Sequence, residues 1–147
     1  MNKCAAGIIV FYPNLERLKN NIDAILNQVD VIYCYNNGTN DDEALGKLLS
    51  NYSKIRLIGS GKNDGIPFAI NQMAHDAIKH KVKWFLTLDQ DSICPNDMIQ
   101  RFLIYENENN LHSGPDGFEK KMFKGSISSH LTPPSIMPFR SMAFLSQ

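Results

Sequence analysis

The chain has 147 residues, of which 43% are hydrophobic and 20% are charged. This length supports a single domain that buries roughly 68–70% of its unfolded surface, and the composition excludes wholesale disorder. Fifteen basic and fifteen acidic residues cancel, so there is no net field to attract nucleic acid or an anionic membrane, and nucleic acid is not an expected partner.

The cysteines and the apolar runs bear on the compartment. Cys4, Cys34 and Cys94 are odd in number and far apart, which favours buried thiols in a reducing compartment over disulfides or a zinc site. The longest apolar run, residues 5–12, is far below the roughly 20 residues that span a bilayer. We therefore expect a cytoplasmic protein without a transmembrane segment, with peripheral contact at the inner membrane face as the alternative.

The first two predicted strands each run into a polar turn. Residues 5–12 predict a buried strand, and Asn14 is placed to cap the helix that follows. Residues 30–35 predict a second strand, which ends at the turn 36–38. Asparagine and glycine are typical of tight turns.

The third strand leads into a loop rich in turn formers. Asn40 and Glu43 resemble a capping box that opens a second helix. Residues 55–58 predict the third strand, and the sequence GSGKNDG over 59–65 predicts a loop. Pro67 suits the first turn of a third helix. The buried face of that helix is expected at Ile66, Ile70, Ala74, Ala77 and Ile78.

The fourth predicted strand, residues 84–88, runs directly into Asp89-Gln90-Asp91, and Pro95 is expected to open the next helix. The chain beyond about residue 105 is polar and carries four of the seven prolines without a sustained period. We therefore predict an α/β domain over residues 1–105. Residues 106–147 are expected to be irregular or partly disordered, without further sheet.

Four strands that are each followed by a helix predict a three-layer α/β/α, Rossmann-like and mostly parallel sheet. In such folds ligands bind outside the carboxyl ends of the strands. Every polar turn described above follows a strand, so all of them are expected at one edge of the sheet. That edge is where the sequence places the functional site.

The pair Asp89 and Asp91 is the strongest candidate for chemistry at this edge. Alternate residues leaving a strand point to the same side, so both carboxylates can face one site. Two carboxylates repel each other and any phosphate, and Mg²⁺ or Mn²⁺ would resolve this conflict by binding both. The alternative is that these residues only begin a turn, with Asp91 or Ser92 helping to cap the next helix.

With these residues in place, the chain resembles glycosyltransferase family 2, which has the GT-A fold, and is most similar to its rhamnosyltransferase-like members. The resemblance rests on four stretches within residues 5–105. They are AGIIVFYPNLERLKNNIDAILNQVD, YNNGTND, GKNDGIPFAINQ and WFLTLDQDSICP. It implies an inverting, metal-dependent transferase of surface-polysaccharide synthesis. The implied donor is a nucleotide-diphosphate sugar such as dTDP-rhamnose, and the implied acceptor is a saccharide or a lipid-linked molecule.

The resemblance also implies roles for individual residues. Asp89 and Asp91 match the family's DxD motif, with Asp89 on the ribose or sugar side and Asp91 reaching the diphosphate through the metal. The other positions that match nucleotide-side motifs are Tyr12, Asn14, Asn36, Asn37, Gly38, Asn63, Gly65 and Asn71.

Two departures from the family pattern stand out. Met73 lies where relatives commonly have glycine. No acceptor half and no general base is recognisable among the residues after Asp91. Asp116 and Glu119 are the acidic candidates there, without supporting context. These departures predict a truncated transferase that keeps its GT-A nucleotide-binding half, with an unknown catalytic base.

Two other function classes remain open at this stage. One is a non-catalytic nucleotide-binding remnant that forms homo-oligomers, because a half-sheet exposes an edge and apolar surface. The other is a phosphohydrolase in which Asp89 is the nucleophile and Asp91 the general acid. Such enzymes place their DxD motif on an early strand, whereas here it follows the fourth.

Overall fold

A computed structural model of the protein describes residues 3–108, 122–123 and 141–144. The four predicted strands and the helices after them are present. The helices are α1 (Leu15–Leu26), α2 (Asp42–Leu49), α3 (Ile66–Lys79) and α4 (Met98–Glu108). The strands are β1 (Cys4–Val10), β2 (Val31–Asn36), β3 (Ile55–Ile58), β4 (Trp84–Leu88), β5 (Met122–Phe123) and β6 (Ser141–Phe144).

The described strands form one mixed sheet in the order β3-β2-β1-β4-β6-β5. Strands β1 to β4 are mutually parallel, with β1 and β2 in register from Ala5↔Val31 to Val10↔Asn36. Because parallel strands end at the same edge, the loops after β1, β2, β3 and β4 meet there. This architecture confirms the predicted α/β fold with a mostly parallel sheet.

Two buried clusters separate the helices onto opposite faces of the sheet. One face packs the apolar sides of α1, α2 and α4, including Leu18, Leu45 and Ile99. The other packs α3 against the sheet through Ala69, Met73 and Ala77. The fold therefore has the three layers expected from its sequence. All three cysteines are buried and free, as the sequence predicts.

Four local expectations are wrong. Helix α2 is capped by Asp41, whose side chain accepts from the Ala44 N–H, and not by Asn40. Helix α4 begins at Met98 and not at Pro95. The buried face of α3 is turned from the predicted one, and Ile66 is 61% exposed. Apolar residues on both sides of α3 make its buried face hard to locate from spacing alone.

The fourth correction concerns the end of the chain. Strand β6 pairs antiparallel with β4, and β5 pairs with β6, so the sheet continues beyond residue 105. These strands have four and two residues, too few to show an alternating pattern. The proposed boundary between 1–105 and 106–147 stays a prediction. Within the described ranges, every helix is too short or too polar to cross a membrane.

Candidate functional site

Four loops at the carboxyl ends of β1 to β4 are joined into one surface, here called the rim: residues 11–14, 36–41, 59–65 and 89–97. The Tyr12 N–H donates to the Gly38 carbonyl at 2.8 Å and links the first loop to the second. The Gly61 N–H donates to the Asn36 carbonyl at 3.2 Å and links the third loop to the second. The sequence therefore located the rim correctly.

Gln90 links the fourth loop to the first. Its Oε1 accepts from the Phe11 N–H at 2.8 Å, and its Nε2 donates to the Phe11 carbonyl at 3.0 Å. Tyr12, the next residue, has a φ of 43°, a left-handed conformation that is uncommon for an aromatic residue and often marks a functional constraint. The rings of Phe11 and Tyr12 stack edge-on with centroids 4.6 Å apart, and both are substantially exposed.

Gly38 is required where the first two loops touch. It is buried, its φ is 147°, and a Cβ added there would lie 3.1 Å from the Phe11 ring. This confirms the close backbone approach expected of a glycine at this position. It also fixes how the two exposed aromatic rings are presented.

Asp89 and Asp91 lie at the end of β4, and both side chains are exposed. The Asp89 carbonyl accepts from Asn21 Nδ2, which reaches it from α1. The Ser92 N–H also contacts this carbonyl, at 3.4 Å. The backbone of the turn that carries the two carboxylates is thus held by Asn21, while Asp89 and Asp91 are themselves exposed residues.

Two buried oxygens beside this turn have no hydrogen-bond partner within the described residues: Asn21 Oδ1 and Ser92 Oγ. Both residues are almost fully buried, at 0% and 2% exposed. A buried polar atom without a partner is costly. An ordered water or a ligand group at this point would therefore be favourable.

Asn36 and Asn37 are buried, at 6% and 4% exposed. Asn36 Nδ2 donates to Asp42 Oδ1 at 2.8 Å, and its Oδ1 accepts from the Gly38 N–H. Asn37 Oδ1 accepts from the Asp64 N–H at 2.8 Å, and its Nδ2 donates to Asn63 Oδ1. The Asn36 side chain therefore ties the second loop to the start of α2, and the Asn37 side chain ties the second loop to the third.

Asn63 and Gly65 complete this network. Asn63 Oδ1 also accepts from the Gly65 N–H at 3.2 Å, and Gly65 has a φ of 85° at the start of α3. Nearby, the Tyr35 hydroxyl donates to Asp64 Oδ2 at 2.8 Å. Burial, followed by the hydrogen bond to the Asp64 carboxylate, raises the pKa of Tyr35, so this hydroxyl remains a donor at neutral pH.

The remaining two candidate residues lie apart from this network. Asn14 caps α1, as expected, because its Oδ1 accepts from the Arg17 N–H at 3.0 Å. Asn71 is exposed on α3. All of the candidate residues except Asn71 therefore lie at the rim: Tyr12, Asn14, Asn36, Asn37, Gly38, Asn63, Gly65, Asp89 and Asp91. Asp116 and Glu119, considered as a catalytic base, lie outside the described residues.

The donor set at the end of β4 fits a hard divalent cation. No group of three or more histidine, cysteine or acidic residues suited to a metal occurs in the described part of the chain. Mg²⁺ and Mn²⁺, however, need only one or two carboxylates when substrate phosphates and waters supply the other ligands. The turn of the alternative interpretation is present, because the Ser92 N–H contacts the Asp89 carbonyl. Its second part, a cap on the next helix by Asp91 or Ser92, does not fit a helix that begins at Met98.

Sequence reasoning missed Gln90 and Asn21. In the sequence Gln90 is only the residue between the two aspartates, and its partner, Phe11, is 79 residues away. Asn21 is a polar residue on the apolar face of α1, between Leu18 and Ile22. A buried polar position in an apolar stripe is the one signal that could have marked it.

Comparison with known proteins agrees with this geometry. The profile of glycosyl transferase family 2 matches residues 8–140. The dTDP-rhamnosyl transferase RfbF of Shigella flexneri is 31% identical over 121 residues, covering 78% of this chain. The chain spans only 39% of the length of that curated relative.

Solved structures share the fold at low identity. S. aureus TarS superposes with a TM-score of 0.59 at 13% identity, over 84% of this chain and 24% of TarS. A shorter TarS, residues 1–349 in complex with UDP-GlcNAc, gives 0.53 over 84% of this chain and 38% of that one. The 4-diphosphocytidyl-2C-methyl-D-erythritol synthase of Anaerococcus prevotii gives 0.56 at 15% identity, over 97% and 70%. The extent of the family match leads to one conclusion: the chain belongs to glycosyl transferase family 2.

Proposed function

We propose that this chain is the donor-binding part of an inverting glycosyltransferase that uses a nucleotide-diphosphate sugar in the synthesis of a surface polysaccharide. The observation that carries the proposal is the rim itself, where exposed carboxylates and exposed aromatic rings lie on loops joined by hydrogen bonds. Aromatic rings offer a stacking surface for a nucleotide base. The carboxylates offer a site for a cation that binds a diphosphate.

The donor we propose is dTDP-rhamnose. Its support is the 31% identity to a dTDP-rhamnosyl transferase. The acceptor is a saccharide or a lipid-linked saccharide, because transfer into a surface polysaccharide needs such a nucleophile. Family membership favours this function over a phosphohydrolase.

Asp91 and Asp89 are the residues that would hold Mg²⁺ or Mn²⁺. The ion would supply positive charge that stabilises a departing diphosphate. The chain's own contribution is positional: Asn21 fixes the backbone of the acidic turn, while Asn36 and Asn37 fix the second and third loops. Positioning of reactants alone can contribute several kcal/mol, about 7–11 in the most favourable cases.

Thermal unfolding with dTDP-, UDP- and GDP-sugars, with and without Mn²⁺, tests the proposal. A nucleotide sugar at 100 times its dissociation constant should add about 2.7 kcal/mol to the free energy of unfolding. We expect the largest stabilisation with dTDP-rhamnose and Mn²⁺, and its loss in Asp91→Ala. No metal-dependent stabilisation by any of the three nucleotide classes would contradict the proposal.

A further inference from the structure

Gln90 makes a two-point contact with a single residue of another loop. Its amide accepts from the Phe11 N–H and donates to the Phe11 carbonyl, at 2.8 and 3.0 Å. Both polar groups of that backbone position are therefore fixed by one side chain. The flanking residues Asp89 and Asp91 are exposed. Within this turn, Gln90 therefore contacts the first loop, and the residues on either side of it are accessible from solvent.

An amide side chain is well suited to this contact. A glutamine presents one acceptor and one donor group at the end of the same chain. A glutamate would place an oxygen against the Phe11 carbonyl and add a third negative charge beside two carboxylates. A leucine of similar size would leave both polar groups of Phe11 without their partner.

The contact between Gln90 and Phe11 links the first and fourth loops, which carry different kinds of exposed side chain. The first loop carries the exposed rings of Phe11 and Tyr12, and the Tyr12 N–H is fixed in turn by Gly38. The fourth loop carries the carboxylates, and Asn21 fixes its backbone from beneath. A ligand that orders either loop therefore also orders the other.

We propose that Gln90 is a positioning residue that couples metal binding at the carboxylates to nucleotide binding at the first loop. This inference rests on the proposed function. When two linked loops are ordered together, the first ligand bears the entropic cost of ordering both, and the second ligand binds more tightly. Such coupling is reciprocal, so Mn²⁺ raises nucleotide affinity by the same factor as the nucleotide raises Mn²⁺ affinity.

Isothermal titration of dTDP, with and without saturating Mn²⁺, measures this factor. Coupling between sites typically amounts to about 5–150-fold in affinity. We expect the ratio of the dTDP affinities with and without Mn²⁺ to be at least about fivefold smaller in Gln90→Leu than in the wild type. Gln90→Glu keeps the acceptor for the Phe11 N–H, so the affinity ratio is expected to fall less in this variant than in Gln90→Leu.

Gln28→Leu is the matched control. Gln28 is also half-buried. It follows α1, donates to the Pro95 carbonyl of the fourth loop at 2.8 Å, and accepts from the Ile99 N–H of α4 at 3.2 Å. Its loss removes contacts of the same kind without touching Phe11. The coupling ratio is expected to stay at the wild-type value in this variant.

Amide hydrogen exchange of the unliganded proteins shows whether the variants fold and whether the loop is released. In Gln90→Leu we expect faster exchange at Phe11 and unchanged protection in the core strands. A wild-type coupling ratio in both Gln90 variants, or an equal fall in Gln28→Leu, would overturn the inference and leave the proposed function standing. Failure of the wild type to bind dTDP or any other nucleotide, with or without Mn²⁺, would overturn both.

Discussion

The two halves of the rim differ in what their polar residues do. In the half formed by the second and third loops, Asn36 and Asn37 are buried, and their side chains bond to the start of α2 and to the third loop, respectively. In the half formed by the first and fourth loops, the carboxylates and aromatic rings are exposed, and a glutamine makes the loop-to-loop bonds. We call the second and third loops the scaffold half, because their buried side chains hold the backbone in place. We call the first and fourth loops the exposed half, because their side chains are accessible to a ligand.

This difference separates residues that shape a site from residues that bind in it. A family motif marks both kinds, because each must keep its identity for the site to work. Burial and hydrogen-bond partners distinguish them. Substitutions in the scaffold half should therefore change stability, whereas those in the exposed half should change ligand binding.

The largest expected effect comes from Asp91, in the exposed half of the rim. Asp91→Ala should abolish most of the roughly 2.7 kcal/mol of ligand-dependent stabilisation expected at 100 times the dissociation constant. It should change the unliganded free energy of unfolding by less than about 0.5 kcal/mol, because the side chain is exposed. Thermal unfolding with dTDP-rhamnose and Mn²⁺ measures both quantities.

Asp42→Ala, at the start of α2, is the counterpart that tests the scaffold half, because Asp42 bonds to Asn36. Asp42 accepts from Asn36 Nδ2 at 2.8 Å, so its loss should lower the unliganded free energy of unfolding by about 1 kcal/mol. The ligand-dependent stabilisation should remain. If the two variants gave the same pattern, the division of the rim into two functional halves would be wrong.

Asn37→Ala should have the next largest effect, on stability. It removes one acceptor and one donor from a residue that is 4% exposed, and leaves Asn63 and the Asp64 N–H without these partners. We expect a loss of about 2 kcal/mol in urea-induced unfolding. Asn37→Asp keeps the acceptor for Asp64 and should lose less. A stable Asn37→Ala protein with weakened nucleotide binding would instead place Asn37 in direct contact with the ligand.

Asn14→Ala should have a small effect on stability, similar to that of Asp42→Ala. Asn14 lies in the exposed half but acts as a helix cap, accepting from the Arg17 N–H. Removal of such a cap costs about 1 kcal/mol, and Asn14→Ser should retain most of the stability because serine also caps. Wild-type stability in Asn14→Ser together with lost nucleotide affinity would show that Asn14 binds the ligand as well.

The sequence predicted the layers and the rim because both follow from periodicity and from the order of strands and turns. Alternating apolar runs and amphipathic stretches identified β1 to β4, and parallel pairing placed Asp89, Asn36 and Gly38 at one edge. It could not separate exposed from buried polar residues within a turn. Asn36 and Asp91 look equally available in the sequence, and only the packing of neighbouring loops distinguishes them.

Contacts between distant residues were also beyond the sequence. Gln90 and Phe11 are 79 positions apart, and Asn21 reaches a carbonyl 68 positions away. Strand β6 is a short segment whose partner, β4, lies more than fifty residues earlier. Such pairings depend on how the whole sheet assembles, and no local propensity or spacing encodes them.

Paramagnetic broadening of backbone amide signals by Mn²⁺, in the presence of dTDP, tests the central claim most directly. The claim is that the exposed carboxylates at the end of β4 hold the cation that a nucleotide diphosphate shares. The account predicts broadening centred on residues 89–91 in the wild type and its loss in Asp91→Ala. Broadening centred on another acidic position, such as Asp23 or Asp76, with residues 89–91 unaffected, would contradict it.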